Sequence, residues 1–321
     1  MRKADEKKPR YKMGKLGRKN TLVAYSFLAP NFLGFAFFTL IPVLCAIALS
    51  LFEWNGGGTT SAPKFIGLEN YETIFAVKKV SEKGLEYFFN KVYLGQALKN
   101  TSLFTVITVP LTIVCALALA ILLNKIKGAK FFRTVFFFPY VSSIVAICVC
   151  WRFMLMKNGP VNQILMSLGI DFNKPWTTSK EMVIWSFILV SVWRNMGYYM
   201  VLYLAALQGI PRELTEAATV DGANKWQQFL HVTLPQLKPT TFFVSVMLVI
   251  SCFKIYDVVE IMTDGSITAS NRMMVTYIYD TAFNPAKWKL GEASAISMVL
   301  LVIVLLVTII QFSFEKKFSN D

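Results

Sequence analysis

Histidine is nearly absent. One occurs in 321 residues, His231, with no second ligand or nucleophile beside it, which argues against a histidine-based catalytic site. No GxxxxGK(S/T) stretch is present, and Gly14-Lys15-Leu16-Gly17-Arg18-Lys19-Asn20 fails the spacing of a phosphate-cradling loop and has no strand ahead of it. The chain is therefore not expected to hydrolyse ATP itself. A zincin HExxH and a GxSxG nucleophile elbow are missing as well. Cysteine is sparse: Cys45, Cys115, Cys148, Cys150 and Cys252 all fall within apolar runs and none is spaced as CxxC. They read as small packing residues and not as metal ligands or a disulfide framework. Acid is scarce beside base, 19 Asp+Glu against 33 Lys+Arg, for a formal charge of +14. Nine of the basic residues precede the first apolar run, within residues 1–20, and most others fall in loops. Membrane topology accounts for that pattern better than a nucleic-acid groove does, and no nucleic-acid partner is expected.

What is abundant is apolar. The chain is 55% hydrophobic and 14% aromatic, with a mean hydropathy of +0.50, more than a soluble core of this length needs. A helix crosses the bilayer hydrocarbon with about 20 apolar residues. Six stretches qualify, roughly 21–49, 97–124, 131–156, 183–209, 240–262 and 291–314. The expected fold is all-α, a polytopic membrane protein with about six transmembrane helices. The fifth stretch is uninterrupted over 240–253 and then takes in Lys254, Asp257 and Glu260, so its outer end is its weakest boundary. The odd-numbered flanks (1–20, 125–133, 211–239 and 315–321) hold 18 Lys/Arg against 11 in loops 50–96, 157–182 and 263–290. Positive charge concentrates inside, so both termini and the 211–239 loop are expected on the cytoplasmic side.

The N-terminus imitates a signal peptide, with a basic region, an apolar run and Ala46-Ile47-Ala48. Its apolar run is longer than a signal h-region, and Pro30 and Pro42 punctuate it like a kinked span. Residues 50–96 form the longest external loop, opening on Gly56-Gly57-Gly58. Its mixed-charge stretch 69–93 is able to form an amphipathic helix. Five Lys against five Glu leave the loop near neutral, as either a solvated loop or a surface for a neutral protein partner.

The polar insert 211–239, PRELTEAATVDGANKWQQFLHVTLPQLKP, is expected to be a helix-turn-helix. Pro211 suits a first helical turn, Gly222 a left-handed helix end and Asn224 the cap of a second helix. In that second helix Trp226, Phe229 and Leu230 recur on one face, and Leu234-Pro235 and Pro239 stop it. An exposed apolar stripe beside the membrane needs a cover: a groove on another protein, lipid headgroups, or this chain's own spans. Periodicity alone does not choose among them.

The spacing Glu216-Ala217-Ala218, then Gly222, then Val232 and Leu234-Pro235 resembles the cytoplasmic loop of permease subunits in binding-protein-dependent ABC importers, with Val232 where the family usually has isoleucine. Further stretches resemble the sugar-importing branch, of the maltose and multiple-sugar type. They are Ala29-Pro30-Asn31, Phe65-Ile66-Gly67-Leu68-Glu69-Asn70-Tyr71, Leu207 to Pro211, Asp221-Gly222-Ala223, Tyr277 to Phe283 and Gly291 to Ala295. One departure is Thr263-Asp264-Gly265-Ser266, where relatives often have a Thr-Gly-Gly-Pro-like turn. The resemblance implies a type I importer permease fold in a prokaryotic cell membrane. It implies a second homologous permease, an ATPase dimer that uses ATP and Mg, an extracytoplasmic solute-binding protein and a carbohydrate cargo, in this branch an oligosaccharide. It also makes the 211–239 loop a coupling helix pair docking on the ATPase through Glu216, Ala217, Ala218, Gly222, Trp226, Phe229, Leu234 and Pro235. This chain would bind no cofactor of its own. A gradient-driven secondary transporter or channel is the rival class, although two inverted halves with broken spans are not evident. Glycerol phosphate is the rival cargo.

Ionisable groups inside spans are costly and mark candidate pathways. Arg194 lies about 12 residues, roughly 18 Å, from the outer end of the fourth stretch. Lys254 and Asp257, three apart, are expected on one face of a helical fifth span. Trp193, Asn195, Tyr198 and Tyr256 accompany them, amphipathic rings and an amide able to stack on and hydrogen-bond a sugar. The alternative is structural, with Arg194 or Lys254 pairing with Asp257. Arg152, near an outer end, reads as a snorkelling side chain.

Overall fold

The computed structural model describes residues 15–55, 62–126, 128–170, 174–286 and 288–319. The expected basic tail up to residue 14, Gly56-Gly57-Gly58 and the last two residues lie outside the described residues. Along the chain run α1 (Lys15–Phe35), α2 (Ile41–Leu49), the two-residue strands β1 (Phe52–Glu53) and β2 (Lys64–Phe65), α3 (Glu69–Phe75), α4 (Val77–Lys91) and α5 (Tyr93–Lys125). Then come α6 (Ala129–Val141), α7 (Ile144–Met154), α8 (Pro160–Ser167), α9 (Val183–Gln208), α10 (Arg212–Val220), α11 (Lys225–Gln228) and α12 (Leu234–Gln236). The last four are α13 (Lys238–Phe253), α14 (Asp257–Thr263), α15 (Met274–Phe283) and α16 (Leu290–Ser319). The all-α expectation holds. The two short strands pair antiparallel, Phe52 opposite Phe65.

Three helical segments are long and apolar enough to cross a membrane alone: Val23–Leu49, Tyr93–Lys125 and Leu290–Glu315. Counting bent pairs brings the number to five. The stretch at 183–209 folds as one 26-residue helix, α9, but Arg194, Asn195 and its aromatic residues hold its hydropathy below that of the other three. A count of six crossings is thus an expectation that length and composition alone do not reach.

The third expected span is not one rod: α6 and α7 meet at 94°. Pro139 and the serine pair cause the break. Ser142 and Ser143 are extended, at ψ 155 and 123, and the Ser142 hydroxyl donates to the Phe138 carbonyl at 2.9 Å. Two π turns, Ala36–Leu40 and Phe229–Thr233, share another cause. Each directly precedes a short helix with proline in its first turn, Pro42 or Pro235. The closing N–H groups of Ile41 and Leu234 reach back five residues, to Ala36 and Phe229, and the widened turn makes room for a ring that cannot donate.

The core sits where α5 crosses α9, with α13, α14 and α7 packed around the pair. A bilayer gives little hydrophobic drive between helices, so close backbone approach must hold them. Ala116 and Ala120, one turn apart on α5, are fully buried beside Phe187, Met200 and Tyr203 of α9. Gly197 carries the closest approach: a Cβ there would lie 1.8 Å from the Phe136 carbonyl oxygen of α6. On the expected outer side, 69–93 forms α3 and α4, and α4 is itself broken at Gly84, whose φ +79 and ψ −179 are not helical. Asn70 of α3 donates to the Ser50 and Phe52 carbonyls at 2.9 and 3.0 Å. Gly291 lets α16 pass that strand, since a Cβ on it would sit 2.0 Å from the Phe52 oxygen.

Candidate functional site

The 211–239 insert folds into an elbow. Pro211 is the residue before α10 and not part of its first turn, with φ −58 and ψ 134. Gly222 takes φ +78, with nothing within 4 Å of where a Cβ would stand, so its role is backbone conformation and not tight packing. Asn224 forms a full capping box, accepting from the backbone N–H groups of Trp226 and Gln227 while the Gln227 side chain accepts from Asn224 N–H. Gln228 ties the two arms together, donating to the Thr219 hydroxyl at 3.0 Å and the Ala223 carbonyl at 2.9 Å. His231 Nδ1 lies 3.0 Å from the Gln227 carbonyl.

Leu234-Pro235 does not stop the second arm. The π turn lets the helix run through Pro235 to Gln236, and the chain bends by 63° at Leu237, which is fully buried. Leu230, Leu234 and Pro235 line a groove of about 700 Å³ against Phe242 of α13 and Phe314 of α16. Glu216 and Ala217 are exposed elsewhere on the elbow, with Trp226 66% and Val220 87% exposed. Ala218 is half-buried, and Phe229 is half-buried against the Trp226 ring at 5.5 Å.

Midway along α9 a cavity of about 270 Å³ brings together Arg194, Asn195, Lys254, Tyr256 and Asp257, with Ser191, Ser251 and Cys252 among the other lining groups. Trp193 and Tyr198 do not line it. Trp193 packs edge-on against Trp151, and Tyr198 stacks on Tyr140 at 4.4 Å. Lys254 and Asp257 are not on one helical face, because α13 ends at Phe253 and α14 starts at Asp257, with Tyr256 at φ −136 between them. The charges explain the break: Lys254 complements the negative end of α13, and Asp257 and Glu260 the positive end of α14. Among the described residues neither Arg194 nor Lys254 pairs with Asp257 within 4 Å. Arg194 instead makes long contacts, to the Tyr140 carbonyl at 3.4 Å and the Asn195 side chain at 3.5 Å, with its Nε unpartnered. The cavity thus presents a guanidinium, an ammonium, a carboxylate, an amide, hydroxyls and a ring, a set suited to a polyhydroxylated solute.

Arg152, near the outer end of the third stretch, reaches a specific partner. It forms a 2.7 Å ion pair with Asp264 at the end of α14, and that guanidinium holds the Asp264 carboxyl below its ordinary range. Sequence reading passed over Arg272, which is buried in the 264–273 segment. Its guanidinium lies 3.9 Å from the Tyr93 ring centre and donates to the Gln96 side chain. Asn100 donates to the carbonyls of Ala269 and Arg272 at 2.9 and 3.0 Å. Burial lowers the basicity of Arg272, which Tyr93, Tyr277 and Asp280 partly restore. The clamp fixes the segment leaving α14 onto the start of α5. No local motif announces it, because Asn100 and Gln96 lie 169–176 residues away from the groups they hold.

Residues 108–320 match the family model described as "Binding-protein-dependent transport system inner membrane component". The chain is 33% identical to the lactose transport system permease protein LacF of Rhizobium radiobacter, over 89% of this chain and 91% of LacF. It is 30% identical to the arabinooligosaccharides transport system permease protein AraP of Bacillus subtilis (strain 168), over 92% of this chain and 90% of AraP. A bacterial alginate ABC transporter, crystallised with an alginate pentasaccharide-bound periplasmic protein, shares the fold at a TM-score of 0.75. That likeness has 22% identity and covers 94% of this chain and 96% of the other. The chain therefore belongs to the family of inner-membrane components of binding-protein-dependent transport systems, as a non-catalytic permease subunit of an ABC transporter.

Proposed function

We propose that the chain imports a carbohydrate, an oligosaccharide in particular, as half of an ATP-driven translocation pathway. One observation carries the cargo class: permeases named for lactose and for arabino-oligosaccharides align over about nine tenths of the chain. The solute passes through the cavity at Arg194, Asn195, Lys254, Tyr256 and Asp257, while Trp193 and Tyr198 brace it from behind. Residues 211–239 are the coupling element. Glu216, Ala217, Ala218, Gly222, Trp226 and Phe229 meet a separate ATPase, and Leu234 and Pro235 pass the movement to α13 and α16. The ATPase dimer uses ATP and Mg, a homologous permease completes the pathway, and an extracytoplasmic solute-binding protein delivers the sugar. In this arrangement the tail 1–20 and residues 315–321 are cytoplasmic, 21–49 is the first crossing, 50–96 is external, and 97–314 is the permease core.

Cells lacking this chain, with and without a plasmid copy, test the reading with labelled lactose, arabino-oligosaccharides, malto-oligosaccharides and glycerol 3-phosphate. The expected result is ATP-dependent uptake of a saccharide that is lost without the chain, and copurification of an ATPase that Trp226→Ala disrupts. Uptake of glycerol 3-phosphate alone, or flux driven by a proton or sodium gradient with no ATPase bound, would overturn it.

A further inference from the structure

The Tyr277 to Phe283 stretch has no role in the arrangement so far. In α15 it divides into two faces. Tyr277, Thr281 and Ala282 are buried, Tyr277 beside the Arg272 clamp. Tyr279 and Phe283, one turn apart, point outward and are 46% and 60% exposed. The two outward rings do not stand alone. Tyr279 lies 5.0 Å from the Tyr256 ring and 5.1 Å from the Phe283 ring, tilted by 47° and 44°. Tyr256 lines the cavity. Three neighbouring rings therefore run from an exposed helix face into the chamber that holds Arg194 and Asp257.

The charges around the rings narrow the choice of ligand. Tyr256 is within electrostatic reach of Asp257 and Glu260, and Glu260 is within reach of Asp280. Asp280 also accepts from the Asn284 side chain at 2.8 Å. Outside the cavity that Arg194 and Lys254 line, aromatic faces bordered by Glu260 and Asp280 suit a molecule with flat C–H faces and hydroxyl donors at its edge, and they disfavour an anion. A lipid tail would use the rings but not the acids. An uncharged sugar chain uses both.

We propose that Tyr256, Tyr279 and Phe283 form a stacking ladder that receives successive rings of an uncharged oligosaccharide outside the cavity and passes its end to Arg194, Asn195 and Asp257. The proposal rests on the carbohydrate-importer reading and adds to it a vestibule, chain-length selectivity and a preference against uronates. Each ring beyond the cavity should act only on substrates long enough to reach it.

The test compares wild type with Tyr279→Ala and Phe283→Ala in cells, using arabino- and malto-oligosaccharides from disaccharide to pentasaccharide, plus an oligogalacturonide. Removing one stacking face should raise KM for the longest imported chain about threefold to tenfold. The disaccharide KM and the maximal rate should stay at wild-type values, and Tyr279→Phe and Phe283→Tyr should restore the long-chain KM. Equal loss at every chain length would overturn the ladder, as would a fall in maximal rate alone or an oligogalacturonide imported as well as a neutral chain of equal length. Reduced copurification of the second permease in Phe283→Ala would also overturn it, by assigning the face to a subunit interface. If wild-type cells import none of the saccharides, the carbohydrate reading itself fails. If they import them and the variants match wild type at all lengths, the ladder alone fails.

Discussion

Replacing Gly197 by alanine places one methyl group where the structure has no room. Its carbon would stand 1.8 Å from the Phe136 carbonyl oxygen and 3.1 Å from the Phe137 Cα. Contact distances are about 3.5 Å, so α6 would have to retreat by roughly 1.5 Å along the line between them. Backbone atoms form the obstacle, so no rotamer change relieves it. The retreat would open the Tyr140–Tyr198 stack, now at 4.4 Å, and carry the Tyr140 carbonyl beyond the reach of Arg194, now at 3.4 Å. Overpacking of this kind costs about 1–3 kcal/mol, and the lost hydrogen bond adds about 1 kcal/mol. At about 2–4 °C per kcal/mol, the purified transporter complex should unfold roughly 4–16 °C lower. Sugar uptake should fall with it, because Arg194 lines the cavity. Gly34→Ala is the control: it lies in α1 with nothing within 4 Å of the new carbon, and should leave the unfolding temperature unchanged or slightly raised. A Gly197→Ala complex that melts within 1 °C of wild type would refute the close-approach argument.

Trp226→Ala removes a side chain that is 66% exposed, so the fold should keep its unfolding temperature while ATPase association weakens by about thirtyfold, the loss expected of an aromatic hot spot. Equal melting and equal copurification would show that the elbow's open side is not the contact. Arg272→Met keeps the apolar stem but leaves the Gln96 side chain without its donor, costing about 1–3 kcal/mol locally. Limited proteolysis should then cut the 264–273 segment faster, and Arg272→Lys should not restore protection, since an ammonium lacks the planar group that the guanidinium sets over the Tyr93 ring. Asp264 has a carboxyl pKa depressed by Arg152, so their tie is complete above the ordinary carboxylate range and is lost as pH falls through the lowered value. The distance between spin labels placed at the ends of α7 and α14 should lengthen in wild type as pH falls below the ordinary carboxylate range and be insensitive to pH in Asp264→Asn.

Long periodic apolar runs made the helical class legible, and Gly222 and Asn224 announced the elbow because positive φ and capping are local chemistry. The breaks were less legible. Pro139 with Ser142-Ser143 and the Lys254-to-Asp257 link are local signals, but a hydropathy average runs over them and reports one span. The π turn before Pro235 was missed for a related reason: proline reads as a stop, and only geometry reveals that a widened turn accommodates it. Of the seven residues proposed for the pathway, five line one cavity, since ionisable groups in apolar sequence are conspicuous wherever they fall. Trp193 and Tyr198 were included as rings near Arg194 in sequence that could stack on a sugar, and helical rotation turns them onto Trp151 and Tyr140 instead. Arg272 was invisible because a charged residue in a loop looks solvated until Gln96 and Tyr93, far away in sequence, close over it.

The interruption between α13 and α14 bears on how the protein can exist in a bilayer. Where one helix stops and another starts, carbonyl and amide groups lose their ladder partners, and hydrocarbon offers none in return. Lys254, Ile255, Tyr256 and Asp257 at that gap line the cavity, so in a lone copy its backbone groups depend on water or another polypeptide filling that space. Assembly is then a condition of solvation as well as of transport, and an orphaned copy should be a substrate for membrane quality-control proteases.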